Sequence, residues 1–329
     1  MEVINRTPYE MERVVIFDRT GRETLVVIVK GTFDFSQGAT LVSKQQAPII
    51  QADEYYGDPA ETSIIRTSDF LPVRMNTGVT LSGHAIVPGG KTGRMNIGIR
   101  VGTLMQKAVV FGNRTGYRDI NSPEPFERMP LKWENAYGGL DTSHDNDKHH
   151  ASHAANPVGK GFIAKRSKLD SASVALPNIE NPDHLIRDPY DHPQPVGFGP
   201  VPPFWEARSK YAGTYDDAWQ KERAPLLPDD FDERFLQAAP VALTAKGYLQ
   251  GDERCELVGM TEDRHIRFDM NASCPTIGVR FARKGMRSKP VLESLHFDTD
   301  ARQFFVTWKS MLDIQGKVEE LKNIEARII

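Results

Sequence analysis

The sequence predicts a mainly β fold, a composite antiparallel β-sandwich-like domain with long ordered Pro- and aromatic-rich loops and one or two short helices. Three observations carry that expectation. Both ends of the chain hold runs of β-branched and aromatic residues bounded by turn signals. The 22 Pro and 26 Gly among 329 residues supply many turns and leave little room for long helices. The middle is crowded with Pro and aromatic residues, which suits wrapping loops better than sheet. The expected layout is one composite domain over 1–329: a β part at 1–120, wrapping loops with a short helix at 121–240, and a second β part at 241–329.

"RVVIFDRTGRETLVVIVKGTFDF" reads as a hairpin. Residues 14–17 and 25–29 are rich in β-branched side chains, which fit a pleated surface. Between them Asp18, Arg19, Thr20 and Gly21 provide turn chemistry, with Gly21 free to take positive φ. A strand in "GVTLSGHAIVPGG" ends at a Pro-Gly-Gly turn, and two more lie in "RMNIGIRVGTLMQKAVVFGNR". There Met95, Ile97, Ile99 and Val101 alternate with Asn96, Gly98 and Arg100, the pattern of a sheet with one buried and one wet face. His84 reads as a hydrogen-bonded strand residue.

From about 120 to 230 no helix or interior strand can run far through so many prolines. Phe198, Phe204, Trp205, Tyr211, Tyr215 and Trp219 are too many aromatics for a solvated tail, so the segment is expected to be ordered and anchored through its rings. Asp229 or Asp230 is placed to cap a short helix from Phe231 that sets Phe231, Phe235 and Leu236 on one face and stops at Pro240. In the last third, "ERCELVGM", "RHIRFDM" and "TIGVRFARKGMR" read as strands, and "FDTDARQFFVTW" repeats the hairpin grammar of the first third.

Bulk properties narrow the function. A net charge of −3, from 41 basic and 44 acidic residues, argues against a dedicated nucleic-acid binder. Cys255 and Cys274 make no disulfide framework and read as reduced thiols. The opening residues lack a basic segment followed by an apolar one, and no run approaches a membrane span, so the cytoplasm is the expected compartment. His144, Asp145, Asp147, His149, His150 and His153 are metal-ligand types, but no hydrophobic pattern fixes them on a rigid element; no metal and no cofactor is expected. No nucleophile elbow or phosphate loop is present, so no catalytic residue is assigned. The alternatives are a hydrolase using loop residues of 126–139 and 183–192, and a structural component of a larger apparatus.

"FERMPLKWENAYGG", residues 126–139, is the most distinctive stretch. Arg128 and Glu134 are spaced to pair above Trp133 and Tyr137, as an ordered corner whose two glycines allow a tight turn. Together with "NPVGKGF", "LPNIENP", "GFGPVPPFWEAR", "GTYDDAW" and "LPDDFDERFLQAAP", in that order, it resembles the 2169 family of domains of unknown function. "LVVIVKGTF", "SDFLPVR" and "YLQGDE" extend the likeness over most of the chain. The resemblance implies a bacterial cytoplasmic adaptor or chaperone. It would bind a type VI secretion effector and help load it onto the spike, a valine–glycine-repeat trimer with its Pro-Ala-Ala-Arg tip. No ligand residue carries over from the family. The candidate protein contacts are Trp205, Tyr211, Tyr215 and Trp219 from the wrap, with Arg283, Lys284 and Arg287 as a basic docking patch in "RFARKGMRSK".

Overall fold

Turn chemistry closes the first hairpin. The Asp18 carboxylate accepts from the Thr20 hydroxyl at 2.6 Å and from the Thr20 and Arg22 amides at 2.8 and 3.0 Å, while Gly21 takes φ +80°. Those hydrogen bonds, led by the one from the Thr20 hydroxyl, hold the Asp18 pKa down at about 2. The computed structural model describes residues 2–117, 120–282, 284–314 and 316–328.

The principal strands are, in chain order, β1 (Glu2–Arg6), β2 (Glu10–Phe17), β3 (Glu23–Ser36), β4 (Ala39–Val42) and β5 (Gly78–Ser82). Next come β6 (Arg94–Val101), β7 (Leu104–Phe111), β8 (Ile179–Glu180), β9 (Arg254–Val258) and β10 (His265–Asp269). The last are β11 (Thr276–Phe281), β12 (Gly285–Ser288), β13 (Val291–Asp298), β14 (Gln303–Asp313) and β15 (Leu321–Arg327). The fold is mainly β. A central six-stranded sheet has the order β2-β3-β14-β13-β5, with β4 also on β3. A five-stranded sheet runs β8-β7-β6-β9-β10, and a four-stranded one β1-β15-β11-β12.

The first and last thirds of the chain meet in the central sheet, where β3 and β14 pair from Thr24↔Asp313 to Asp34↔Gln303. Not every pairing is antiparallel. β5 runs parallel to β13, and β1 parallel to β15. These partners are joined by most of the chain rather than by a hairpin, and a long crossover permits either direction.

One face of the central sheet is apolar and makes the core. Val27, Val29, Phe33, Leu295, Phe297, Phe304, Val306 and Trp308 all belong to it. It packs on the five-stranded sheet through Phe268, whose ring centroid lies 4.8 Å from Phe35 and 5.9 Å from Phe304. Burial of such rings is the main driving force here.

The opposite face is polar, yet it is also covered. Lys30, Thr32, His296, Thr307 and Lys309 stand on it, none more than 9% exposed. A buried charge needs a partner, and two carboxylates answer. Asp69, from the covering loop, sits 2.8 Å from the Lys30 amine and accepts from the Thr307 hydroxyl and the Ile50 amide. Glu293 lies 3.3 Å from both Lys309 and Arg74. It occupies a bulge in β13, where pairing jumps from Leu292↔Trp308 to Ser294↔Thr307. The extra residue re-aims a side chain that regular alternation would place elsewhere.

The helix expected from Phe231 is shorter and begins later. Asp232, not Asp229 or Asp230, caps a single 3₁₀ turn at Glu233–Leu236. Asp230 is already engaged by the Thr214 amide and hydroxyl. Upstream, Asp216 caps α2 (Asp217–Glu222), and α1 (Glu206–Ser209) follows Trp205.

Replacing Glu293 with Ala should leave Arg74 and Lys309 buried without a carboxylate and cost about 3–5 kcal/mol. A urea midpoint equal to that of the wild type would show that water reaches these cations and that the ion pairs do not hold the cover down.

Candidate binding groove

The 126–139 corner is built as a support. Trp133 and Tyr137 are buried, as their aromatic surface demands. The Trp133 indole N–H donates to the Gly199 and Pro200 carbonyls, both at 3.1 Å, and its ring meets Trp205 edge-on at 5.6 Å. Gly197 lies against the same ring, where a Cβ would come within 2.7 Å of it. Gly138, at φ +143°, lets the backbone reach Asn156, whose amide donates to the Trp133 and Tyr137 carbonyls. Arg128 and Glu134 do not pair. Arg128 binds Asp300 at 2.9 Å, and Glu134 accepts from the Ser63 amide and hydroxyl. Arg128 lies on a short strand and Glu134 in the 3₁₀ turn Trp133–Asn135, which sends the two side chains to different neighbours, so they form no acid–base couple.

The same Asp300 carboxylate accepts from the His84 Nδ1, 2.7 Å away, on the strand His84–Ile86 that pairs with Arg128–Pro130. His296 sits in a small polar chamber of about 30 Å³ between the central sheet and its cover. Its ring nitrogens meet the Thr80 hydroxyl at 2.9 Å and the Ser82 hydroxyl at 3.1 Å. Burial, with Arg66 and Lys30 nearby, pulls its pKa down to about 3, so the ring is neutral. Such a chamber has room for a water molecule, not a substrate.

The histidines of 144–153 are spread over local contacts. His144 and His149 meet ring to ring at 4.5 Å, His150 reaches the His144 carbonyl, and His149 lies 3.0 Å from Arg166. Among the described residues, no group of three or more His, Cys, Asp or Glu is placed to hold a metal ion.

A broad apolar opening lies where the cover of the central sheet stops. A groove of about 660 Å³ runs between the β14 end of the sheet, the loop at 71–75 and the wrap at 215–236, with the first hairpin tip at one end. Phe17, Tyr215, Met75 and Met311 line it and remain 66, 54, 47 and 41% exposed, which is unusual for large apolar side chains gathered in one place. Lys309 forms part of the floor, its amine donating to the Leu71 carbonyl at 3.0 Å. Burial lowers the pKa of that amine, and the adjacent Glu293 opposes the shift.

The wall is held by the wrap. Tyr215 and Trp219 meet edge-on at 4.8 Å, and the Trp219 N–H donates to the Leu226 carbonyl at 2.9 Å. Tyr211 is half-buried beneath the Arg234 guanidinium, 4.2 Å from its ring. Trp205, by contrast, is 1% exposed and packs on Trp133 inside the molecule, so it offers no contact surface. Of the basic patch, Lys284 and Arg287 are exposed, and neither lines the groove, although Ser288 and Lys289 just beyond them do; Arg283 lies outside the described residues. Phe17, Met75 and Met311 were not singled out by the sequence. The available signal was Met311, an apolar residue on the same strand face as Thr307 and Lys309.

A family model described as "Uncharacterized protein conserved in bacteria (DUF2169)" matches residues 20–309. The chain belongs to the DUF2169 family. No curated protein and no solved structure matches it. In this DUF2169 chain, the described residues contain no helix long and apolar enough to cross a membrane. The motif series of the wrap is mostly architecture: Trp133, Asn156, Gly197 and Trp205 fix the corner on which the groove wall stands.

Two outcomes follow. Trp133→Ala should lower stability by about 3–5 kcal/mol, whereas Tyr215→Ser should stay within about 0.5 kcal/mol of the wild type. Thermal melting distinguishes them, and a large loss at Tyr215 would make the groove wall a part of the core. The second concerns acid. An unfolded His296 takes up a proton near pH 6.5, while the folded ring resists until about pH 3. The unfolded state therefore binds more protons in that window, and stability falls as pH drops through it, by about 1.4 kcal/mol per unit. His296→Asn should flatten that slope between pH 7 and 5; an unchanged slope in urea titrations would assign it to other groups.

Proposed function

We propose that this DUF2169 chain is a non-catalytic adaptor or chaperone that holds an apolar segment of a partner protein in the groove beside β14. The observation that supports it most is the cluster of Phe17, Met75, Tyr215 and Met311, left open on an otherwise covered sheet face. The groove volume, about 660 Å³, falls in the range of preformed clefts, and its shape suits one apolar helix face. The resemblance carried by the ordered motif series is what supports a role in bacterial type VI secretion. On that ground the partner is a cytoplasmic effector, which the protein would keep in a loadable state and present to the spike, the valine–glycine-repeat trimer with its Pro-Ala-Ala-Arg tip. Tyr215 serves as the wall, and Trp219, packed edge-on against it, as its support.

An apolar interface of this kind should bind with a negative heat-capacity change and little dependence on salt. The test is co-expression with an effector encoded next to it. Tyr215→Asp together with Met311→Asp should abolish co-purification and leave the effector insoluble, with the melting temperature of the adaptor itself nearly unchanged. Retention of the effector by this variant would remove the groove from consideration, and normal secretion of the effector without the protein would remove the chaperone role.

A further inference from the structure

The outer face of the four-stranded sheet is chemically the reverse of the groove. Each of its strands contributes one arginine: Arg6 from β1, Arg280 from β11, Arg287 from β12 and Arg327 from β15. The register sets Arg6 directly beside Arg327, and like charges side by side destabilise a sheet. Among the described residues that line this opening, the one carboxylate is Glu325, held 2.6 Å from Arg6. Among the described residues, Arg280, Arg287 and Arg327 form no ion pair.

Between the arginines the sheet is bare. Gly278 lies opposite both Glu325 and Arg287, and Gly285 opposite Arg280. Neither glycine takes positive φ, and a Cβ would meet nothing nearer than 3.9 Å at Gly278 or 3.8 Å at Gly285. The chain's own conformation and packing therefore require glycine at neither position. A glycine inside a strand weakens it and often marks the close approach of another backbone. The result is an open trough of about 760 Å³ with a backbone floor and guanidinium walls.

We infer that this trough binds an extended acidic segment of a protein, whose carboxylates are forked by Arg280, Arg287 and Arg327 and whose backbone lies over Gly278 and Gly285. Guanidinium groups match carboxylates in a bidentate fashion, and acidic residues at alternate positions of an extended segment all face one way, about 6.6 Å apart. A nucleic-acid strand is the poorer match. Glu325 stands within the trough, and the whole chain carries a net charge of −3, so a continuous phosphate backbone meets repulsion that spaced carboxylates can avoid. The site shares no residue with the apolar groove and does not depend on it.

The probe is a dye-labelled peptide of alternating Glu and Thr, titrated against the full chain at low and at physiological salt. Wild-type binding should weaken as salt rises. Arg280→Glu with Arg287→Glu should lower affinity about tenfold or more at low salt. Gly278→Val, which keeps every charge, should lower it by a similar factor because it fills the floor. Tyr215→Asp with Met311→Asp should leave it unchanged, which separates this surface from the groove. Should the double charge reversal fail to fold, Arg280→Gln with Arg287→Gln must show the same loss. Wild-type affinity in the Gly278→Val protein, or in the folded arginine variants, overturns the proposal. So does tighter binding of an oligothymidylate of equal charge.

Discussion

The fold depends on neutralising two lysines on a sheet face that is then buried. Lys30 and Lys309 stand on the polar side of the central sheet, and neither is more than 3% exposed. An ammonium group in that position is costly unless a carboxylate meets it. Asp69 comes from the covering loop, and so ties the cover to the sheet through Lys30, Thr307 and the Ile50 amide. Glu293 comes from the sheet itself, by way of a bulge, and faces Lys309 and Arg74. Arg74 in turn donates to the Leu236 carbonyl and so reaches the wrap. One set of charges thus positions both layers of the cover, and the groove opens at the boundary where that set ends.

The wrap is ordered with little regular secondary structure because side chains take over the work of a hydrogen-bond ladder. A buried backbone group must find a partner, and Pro-rich segments cannot offer one another amide donors. Arg208 donates to the Val201 and Phe235 carbonyls, Asn156 to those of Trp133 and Tyr137, and Asn178 to that of Phe111. These polar residues fall within or beside the same motifs that carry the large rings. A motif series dense in Trp, Asn, Arg and Gly is what such a segment needs to hold one conformation, whether or not it touches a ligand.

Local chemistry was legible in the sequence and non-local pairing was not. The hairpin at Asp18–Gly21 and the one at residues 298–303 follow from turn residues that lie next to the strands they join. The buried state of Trp133 and Tyr137 follows from ring size in an ordered corner. The partners of Arg128 and Glu134 did not follow, because Asp300 and Ser63 lie far away in the chain and nothing nearby announces them. The parallel pairing of β5 with β13 has the same origin. Trp205 illustrates a different limit: its composition suits a contact surface and a core equally, and only the facing Trp133 and Gly197 decide the matter. The groove was legible in its wall, through Tyr215, which Trp219 braces edge-on, and hidden in its floor, which β14 supplies from the other end of the chain.

That floor bears on what the groove can hold. A lysine beneath an apolar guest would ordinarily repel it, since the guest strips away the water that solvates the charge. Here Lys309 is already withdrawn from water, with its amine turned to the Leu71 carbonyl and to Glu293. The desolvation cost is met within the folded chain before any guest arrives. The surface presented upward is then that of Met311 and Tyr215, with the Lys309 side chain fully buried beneath. The charge that organises the cover is thereby kept from disfavouring an apolar occupant, and the arginines of the trough stand on a different sheet.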